Sequence, residues 1–452
     1  MDSCMMKIVE DLTLTNRVFC SKGYDEVIEY LRKLLPFEVN GYEGCSCNGW
    51  VIPPSWDLKE AKIFHDGRLV WDGMSHPLAV IALSSPFRGK VSKAELLEHL
   101  YFDARYDHVI PYHFRQLYRP WKRSWGFCLP RKLYDSLPEG DYDVVIETIE
   151  SSGCLKVPEF TIQGRSDLCF AFVAHLDHPG MANDDLCGCA VGVELFRRLS
   201  RMKTNYSYKL LLVQEMTGSE FYWNFSNPKN KNKIFEGLFI EMLGSKTGLV
   251  YQQSQLGASN IEWALTKALE DLKLPFRKEP FRGAVCNDEN IWEAYGVPMA
   301  SISRFPYPEY HCDLDNPSII SQEMMGEALD TLLRTVTLLD SSAMVSKRFK
   351  GTICLSNPDY NLYMDPGQPA YGEEGDENAT RWNKLMEAIP LLSAPVCGKR
   401  LASEFGLPEK SVMDYLARWK EKGLLDISFM DDSLSNSCVD HPSETHKCKC
   451  SH

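Results

Sequence analysis

Residues 24–35 (YDEVIEYLRKLL) place apolar side chains at intervals of three and four, the spacing of one buried helix face. Beyond residue 41 that rhythm stops. The short apolar runs VIPPSW, AKIFHDGRLVW and LAVIALSSP alternate with Gly, Pro and Asn turns as far as the aromatic-rich YRPWKRSWGFCLP, and KAELLEHLYFD alone keeps a helical spacing there. This pattern predicts a β-rich module. Downstream, strand-like DYDVVIETIES (141–151), LCFAFVAH (168–175), YKLLLVQE (208–215), FEGLFIEML and PMASISR are interleaved with helical GCAVGVELFRRLS (188–200), SNIEWALTKALEDL and EMMGEALDTLLRTVTLLDSS. Such alternation predicts an α/β sheet covered by helices. After the Pro-, Gly- and acid-rich MDPGQPAYGEEGDENAT, the segment RLASEFGLPEKSVMDYLARWKEKGLLDISF reads as helix, Gly-containing turn, helix and strand, the order of a winged helix-turn-helix.

Composition narrows the classes. With 452 residues, 44% hydrophobic and 11% aromatic, the chain can bury substantial cores. No apolar run reaches the roughly 20 residues of a membrane span, and MDSCMMKIVEDLTL lacks the pattern of a secretion signal, so a cytoplasmic protein without a membrane partner is expected. Sixteen scattered cysteines, including Cys169 and Cys354 in apolar stretches, read as buried thiols of a reducing compartment. A net charge of −13 excludes a chain-wide nucleic-acid surface. Residues 381–425 run the other way, with eight Lys plus Arg against five Asp plus Glu, which permits local DNA contact without requiring it.

Residues 175–185 (HLDHPGMANDD) crowd two histidines and three aspartates directly behind an apolar strand. In α/β sheets, reactive groups gather where strands end and loops converge. His175 ends one predicted strand, Glu215 the next and Glu241 a third, and His311 lies in the loop after PMASISR. Imidazole and carboxylate are the ligands of a catalytic zinc site. The crowding therefore reads as a metal centre.

The order His175-Leu-Asp177, Asp184-Asp185-Leu-Cys-Gly188, Gln214-Glu215, Glu241-Met-Leu-Gly244 and Tyr310-His311 resembles that of the zinc aminopeptidase family of co-catalytic metallopeptidases, which includes the glutaminyl cyclases. IPPSWDLKEAKI, SHPLAVIALSSPFRGKVS, the frame 175–188 and PEYHCDLDNP are similar to a subgroup named polysaccharide-biosynthesis proteins with an aminopeptidase-like domain, over roughly residues 10–430. The resemblance implies a zinc-aminopeptidase-like mixed sheet flanked by helices, formed by 1–40 and 130–350, with a β-rich insert at 41–129. A linker at 351–380, a winged helix at 381–430 and a disordered tail at 431–452 would follow.

It also implies roles. Asp184 would bridge metals, with His175, Glu241 and His311 as further ligands. Asp177 would accept the second ring proton of His175, and Glu215 would be the general base. His178, Arg304 and Tyr310 are additional candidates, Arg304 for a substrate carboxylate. Met216 stands where the family has a second Glu ligand, and a thioether is a poor ligand for hydrolytic zinc. One strong zinc site, built on His175, Asp184 and Glu241, is thus expected, or else Glu215 turns ligand and the base is lost. Asp313 and Asp315 are expected to order their loop. Trp50, Trp56, Trp71, Trp121 and Trp125 could stack a sugar, though core packing accounts for most such residues.

The leading function is hydrolysis of an amide in a small peptide or in an aminoacylated or acylated metabolite. Two alternatives are a single-zinc acyl-transferase or cyclase, and a non-catalytic, ligand-sensing regulator whose winged helix binds DNA. Homo-oligomerisation is expected, since winged helices on enzymes serve as dimerisation or lid modules. The tail residues Cys438, His441, His446, Cys448, Cys450 and His452 lack the spacing of a closed zinc knuckle.

Overall fold

The computed structural model describes residues 4–364 and 376–429. The metal-ligand-like tail therefore lies outside the described residues. Two compact units divide at Leu338 and Leu339, within the helix Gln322–Asp340.

The first unit is built on an eight-stranded sheet in the order Glu38–Glu43, Cys154–Ile162, Ser207–Val213, Leu168–His175, Lys233–Ile240, Met299–Ser303, Leu249–Gln252, Phe276–Glu279. Ser207–Val213, Leu168–His175, Lys233–Ile240 and Met299–Ser303 run parallel as neighbours, and antiparallel strands flank them, so the sheet is mixed as expected. The parallel strands are buried on both faces and accordingly read as continuous apolar runs rather than alternating ones. Helices Gly188–Leu199 and Asn260–Asp271 fall within the segments that the helical spacing predicts, and Gln322–Asp340 begins one residue before its segment. Ser259 and Glu262 close a reciprocal cap on the second of them.

The insert differs from its expected limits. DYDVVIETIES is a strand, Asp141–Ser151, but it pairs with Ser55–His65 and Phe87–Ser92 in a separate four-stranded antiparallel sheet. Its burial alternates, which suits a sheet with one wet face, whereas the central strands are buried throughout. The β-rich layer thus reaches residue 151, and its start, Glu38–Glu43, is an edge strand of the main sheet. One core holds Trp56, Ile63 and Val144 of the insert together with Val173, Leu211 and Phe239 of the main sheet.

The second unit contains a three-stranded antiparallel sheet, Val396–Cys397, Met344–Lys347 and Leu425–Ile427, with helices Glu377–Ala388, Gly398–Phe405 and Glu409–Glu421. Gly406, at φ 63°, ends the middle helix in a left-handed conformation that a side chain would strain. Met344–Lys347, which the expected limits assign to the α/β domain, is the central strand here. The expected linker also begins later. Leu362 is fully buried in this unit's core, with Ile353, Leu355 and Tyr360 packed around it.

Candidate metal centre

Carboxyl ends of the four parallel strands meet on one edge of the sheet. His175 is paired with Val213 in the strand register, so Gln214 and Glu215 emerge beside it, and Glu241 and the loop carrying His311 follow on the other side. Four loops of very different lengths in sequence are thereby brought to one place.

Several buried polar groups hold this place in shape. Asp185 accepts N–H groups of Gly188 at 2.8 Å, Met242 at 2.9 Å and His175 at 3.3 Å. Asp315 accepts those of Asn183 at 2.6 Å, Asp184 at 3.1 Å and Ala182 at 3.2 Å, and the Tyr307 hydroxyl at 2.7 Å. Burial pushes Asp185 up to about 8 and Asp315 up to about 7, despite those donors. Arg17, wholly buried, donates to the carbonyls of Leu12, Thr13, Leu176 and Met181 and so ties the 176–181 loop to the first helix. Asp313 accepts the Ile110 N–H at 3.0 Å. Asp313 and Asp315 thus order their loop.

At the centre is Asp184. Its Oδ1 lies 3.0 Å from His175 Nε2, and its Oδ2 lies 3.1 Å from both His178 Nδ1 and His311 Nε2. Glu241 Oε2 is 3.7 Å from His175 Nε2 and accepts from Asn287 Nδ2 at 2.9 Å. Glu215 Oε2 accepts the Tyr118 hydroxyl at 2.8 Å and stands 3.3 Å from His178 Nε2. Asp177 Oδ1 accepts the Glu215 N–H at 2.8 Å but is 3.9 Å from His175 Nδ1, too far for the ring hydrogen bond expected of it. It positions Glu215 instead.

These atoms suit a cation. His178 Nδ1, Asp184 Oδ2, Glu241 Oε1 and His311 Nε2 are buried without a hydrogen-bond partner, a costly state that coordination would relieve. Ligand atoms of His175, His178 and Asp184 lie within 4.8 Å of one another. Nitrogen and carboxylate oxygen are what zinc takes. Burial opposes charge on His175, yet Asp184 and Glu241 outweigh it and hold the imidazolium well above its usual value. For Glu215, too, burial is outweighed, by His178, which brings the carboxyl down to about 2. Burial, with Glu289 beside it, pushes Glu241 well up.

The sequence profile of the family described as a domain of unknown function, DUF4910, matches residues 6–342. The chain belongs to this family. A Clostridium acetobutylicum protein named as a polysaccharide biosynthesis protein with aminopeptidase-like domain is 26% identical over 341 residues, covering 74% of this chain and 77% of that one. A solved structure of a peptidase-designated protein from C. acetobutylicum superimposes with a TM-score of 0.72 at 23% identity, covering 94% and 96% of the two chains. A zinc aminopeptidase from Bacillus subtilis gives a TM-score of 0.56 at 13% identity, covering 74% of this chain and 94% of the other. The fold of this DUF4910 chain is therefore aminopeptidase-like.

Other expectations need correction. Arg304 does not face a substrate site. Its guanidinium, 3% exposed, is spent on Glu327 at 2.7 Å and the Thr247 carbonyl at 2.8 Å. Tyr310 stacks on His311 with ring centroids 3.8 Å apart, and so braces that ring. Cys354 is exposed, whereas Cys169 is buried. Trp56 and Trp125 are core residues, but Trp121 is 68% exposed. Trp50 and Trp121 line a cavity of about 240 Å³ with Asn48, Leu117, Tyr118 and Thr217.

Sequence reasoning missed Tyr118, Asn287, Asp288 and Arg17. Asp288 accepts the Met216 N–H at 3.0 Å and pins the turn after Glu215. The acidic cluster NDE at 287–289 was the available signal. Met216, Met242 and His311 all have φ between 51° and 61°, positive angles that cost a residue with a side chain roughly 1–3 kcal/mol each, and all three border the centre.

Proposed function

We propose that the chain is a metal-dependent amide hydrolase with aminopeptidase-like action on a small peptide or on an aminoacylated or acylated metabolite. One observation carries the reading: His175, Glu215, Glu241 and His311 converge around Asp184 at the ends of four adjacent parallel strands. The aminopeptidase-like designation of the C. acetobutylicum relative and the zinc named for the B. subtilis structure support it.

His175, Asp184, Glu241 and His311 would hold zinc, which when bound supplies a Lewis acid for a carbonyl oxygen and makes water more acidic. Glu215 is ionised across the physiological range, the form a proton acceptor needs. Tyr118 and the Glu215 N–H anchored on Asp177 fix that carboxylate, leaving Oε1 to face substrate. The Trp50–Trp121 cavity, which Tyr118 joins to Glu215, has no charged side chain in its lining and would take a neutral, apolar substituent. In the second unit, the order helix, strand, helix, Gly406 turn, helix, strand supports a winged helix acting as an accessory module. The described cysteines are free thiols, which supports a cytoplasmic setting.

Incubating the zinc-loaded protein with a panel of aminoacyl and N-acyl amides, and weighing the products, tests the reading. Products heavier than their parent amides by one water in total are expected, with Leu and Phe derivatives preferred over Asp and Lys. Products formed by loss of ammonia with ring closure would instead identify a cyclase.

A further inference from the structure

Residues 116–124 form a loop of the insert that is tethered at both ends yet holds a tryptophan out to solvent at its tip. Gln116, 5% exposed, donates to the Ala82 carbonyl at 3.3 Å and accepts the Ser124 N–H. Arg123 donates to the Leu83 and Ser84 carbonyls at 2.8 Å and 3.1 Å. Between these anchors the Lys122 N–H closes a turn on the Arg119 carbonyl at 2.9 Å, with Pro120 at the second position, where its fixed φ suits the turn. Trp121 follows at the tip and is 68% exposed, so core packing does not account for it.

The turn also fixes what flanks that ring. The first and fourth residues of such a turn have Cα atoms within about 7 Å of each other, which sets Arg119 and Lys122 side by side beneath Trp121. Both are exposed. Arg105, Arg123 and Arg131 are held by Asp103, Glu150 and Asp135, whereas Arg119 and Lys122 have no acidic partner among the described residues. In a chain of net charge −13 they make a local positive potential beside an aromatic cavity.

We propose that the Trp50–Trp121 cavity and these two cations together select amides whose aminoacyl or acyl side chain ends in a planar ring carrying an anion, a carboxylate or a phosphate. This rests on the amide-hydrolase reading and gives it a substrate class. The ring lies between the tryptophans, where stacked or edge-on contacts are available, and the anion stays at the mouth beside Arg119 and Lys122. Tyr118 connects this subsite to the reacting end. It lines the same cavity, meets Trp50 edge-on with centroids 6.3 Å apart and donates to Glu215 at 2.8 Å. A short acidic side chain such as that of aspartate would carry its charge towards the Glu215 carboxylate and is disfavoured. A ring carries the charge outward, past Trp121.

Calorimetry on the full, zinc-supplied chain with four amino alcohols tests this without turnover, since none of them contains an amide. Phenylalaninol is the neutral probe, 4-carboxyphenylalaninol and O-phosphotyrosinol are the anionic ones, and 4-(aminomethyl)phenylalaninol is the cationic one. At least one anionic probe is expected to bind about 3- to 10-fold more tightly than phenylalaninol, the size expected of two exposed ion pairs, and the cationic probe least tightly. The tighter anionic probe names the anion. Arg119→Gln combined with Lys122→Gln should erase the preference, as should 1 M salt, where the screening length is about 3 Å. Trp121→Ala should weaken phenylalaninol itself by about 3- to 10-fold. All three side chains are exposed, so the variants are expected to fold as wild type does, which circular dichroism checks. Failure of all four probes to bind, equal binding of all four, a preference that survives the double substitution, or an unaffected Trp121→Ala would overturn the proposal. Anion preference without hydrolysis of any amide would keep this site and remove the hydrolase reading, and hydrolysis without charge preference would do the reverse.

Discussion

Glu215 lies two residues past the end of the strand Ser207–Val213 and is held by three neighbours, Tyr118, His178 and, through its N–H, Asp177. Each contact orients the carboxylate without neutralising it. Replacing it with Gln keeps the shape but removes the proton acceptor. Turnover should fall by about 10² to 10⁴-fold with zinc content unchanged, measured as rate and metal on one preparation. Asp288 offers a test of the electrostatics through stability. Burial raises it from 3.8 to about 7, so the folded protein keeps a proton that the unfolded chain has released. That contribution is full below about pH 4 and is lost as pH rises towards 7. In the metal-free protein, the melting temperature of wild type relative to Asp288→Asn should therefore decline from pH 4.5 to 7.5. A difference that stays flat would show that Asp288 is ionised throughout.

Elements matter here through their ends. The parallel strands are buried from end to end and vary little in what they contribute, whereas the loops that follow them carry the chemistry. These ends were legible in the sequence because each strand closes on a short apolar run, CFAFVA, LLLV or LFI, followed directly or within two residues by an ionisable one, His175, Glu215 or Glu241. Loop anchoring was not legible. Arg17 is 159 residues from Leu176, and nothing near it in sequence announces four buried carbonyl acceptors. Arg17→Met would remove the donor to the Leu176 and Met181 carbonyls, at about 1–3 kcal/mol for each that finds no water, whereas the Leu12 and Thr13 carbonyls also accept the Thr15 and Gly180 N–H groups. We expect a loss of about 3 kcal/mol or more in urea unfolding, together with weaker zinc binding, because the 176–181 loop positions His178. Asp141–Ser151 shows the opposite failure. Its strand character was plain, but which sheet it joins depends on partners 49 to 96 residues away, and pattern alone does not choose between them.

In the first unit, the insert and the main sheet share one core, so the β-rich layer is part of that unit's packing and supplies Tyr118 and the Trp121 cavity to it. Arg304 illustrates the limit of reading from position: its place beside aromatic residues suggested a carboxylate site, and burial against Glu327 made it structural. His178 shows the reverse, an additional candidate that the fold turns into the centre. What unites these residues is a demand for a cation among buried carboxylates, and the central claim is that this cation serves amide hydrolysis. The most direct test is product mass spectrometry on Leu-amide and N-acyl amides with zinc-loaded wild type, chelator-treated wild type and Asp184→Ala. Release of free acid by the zinc-loaded protein alone, abolished by the chelator and restored by zinc, is the predicted result. Bound zinc with no turnover of any amide, or equal turnover by Asp184→Ala, would contradict it.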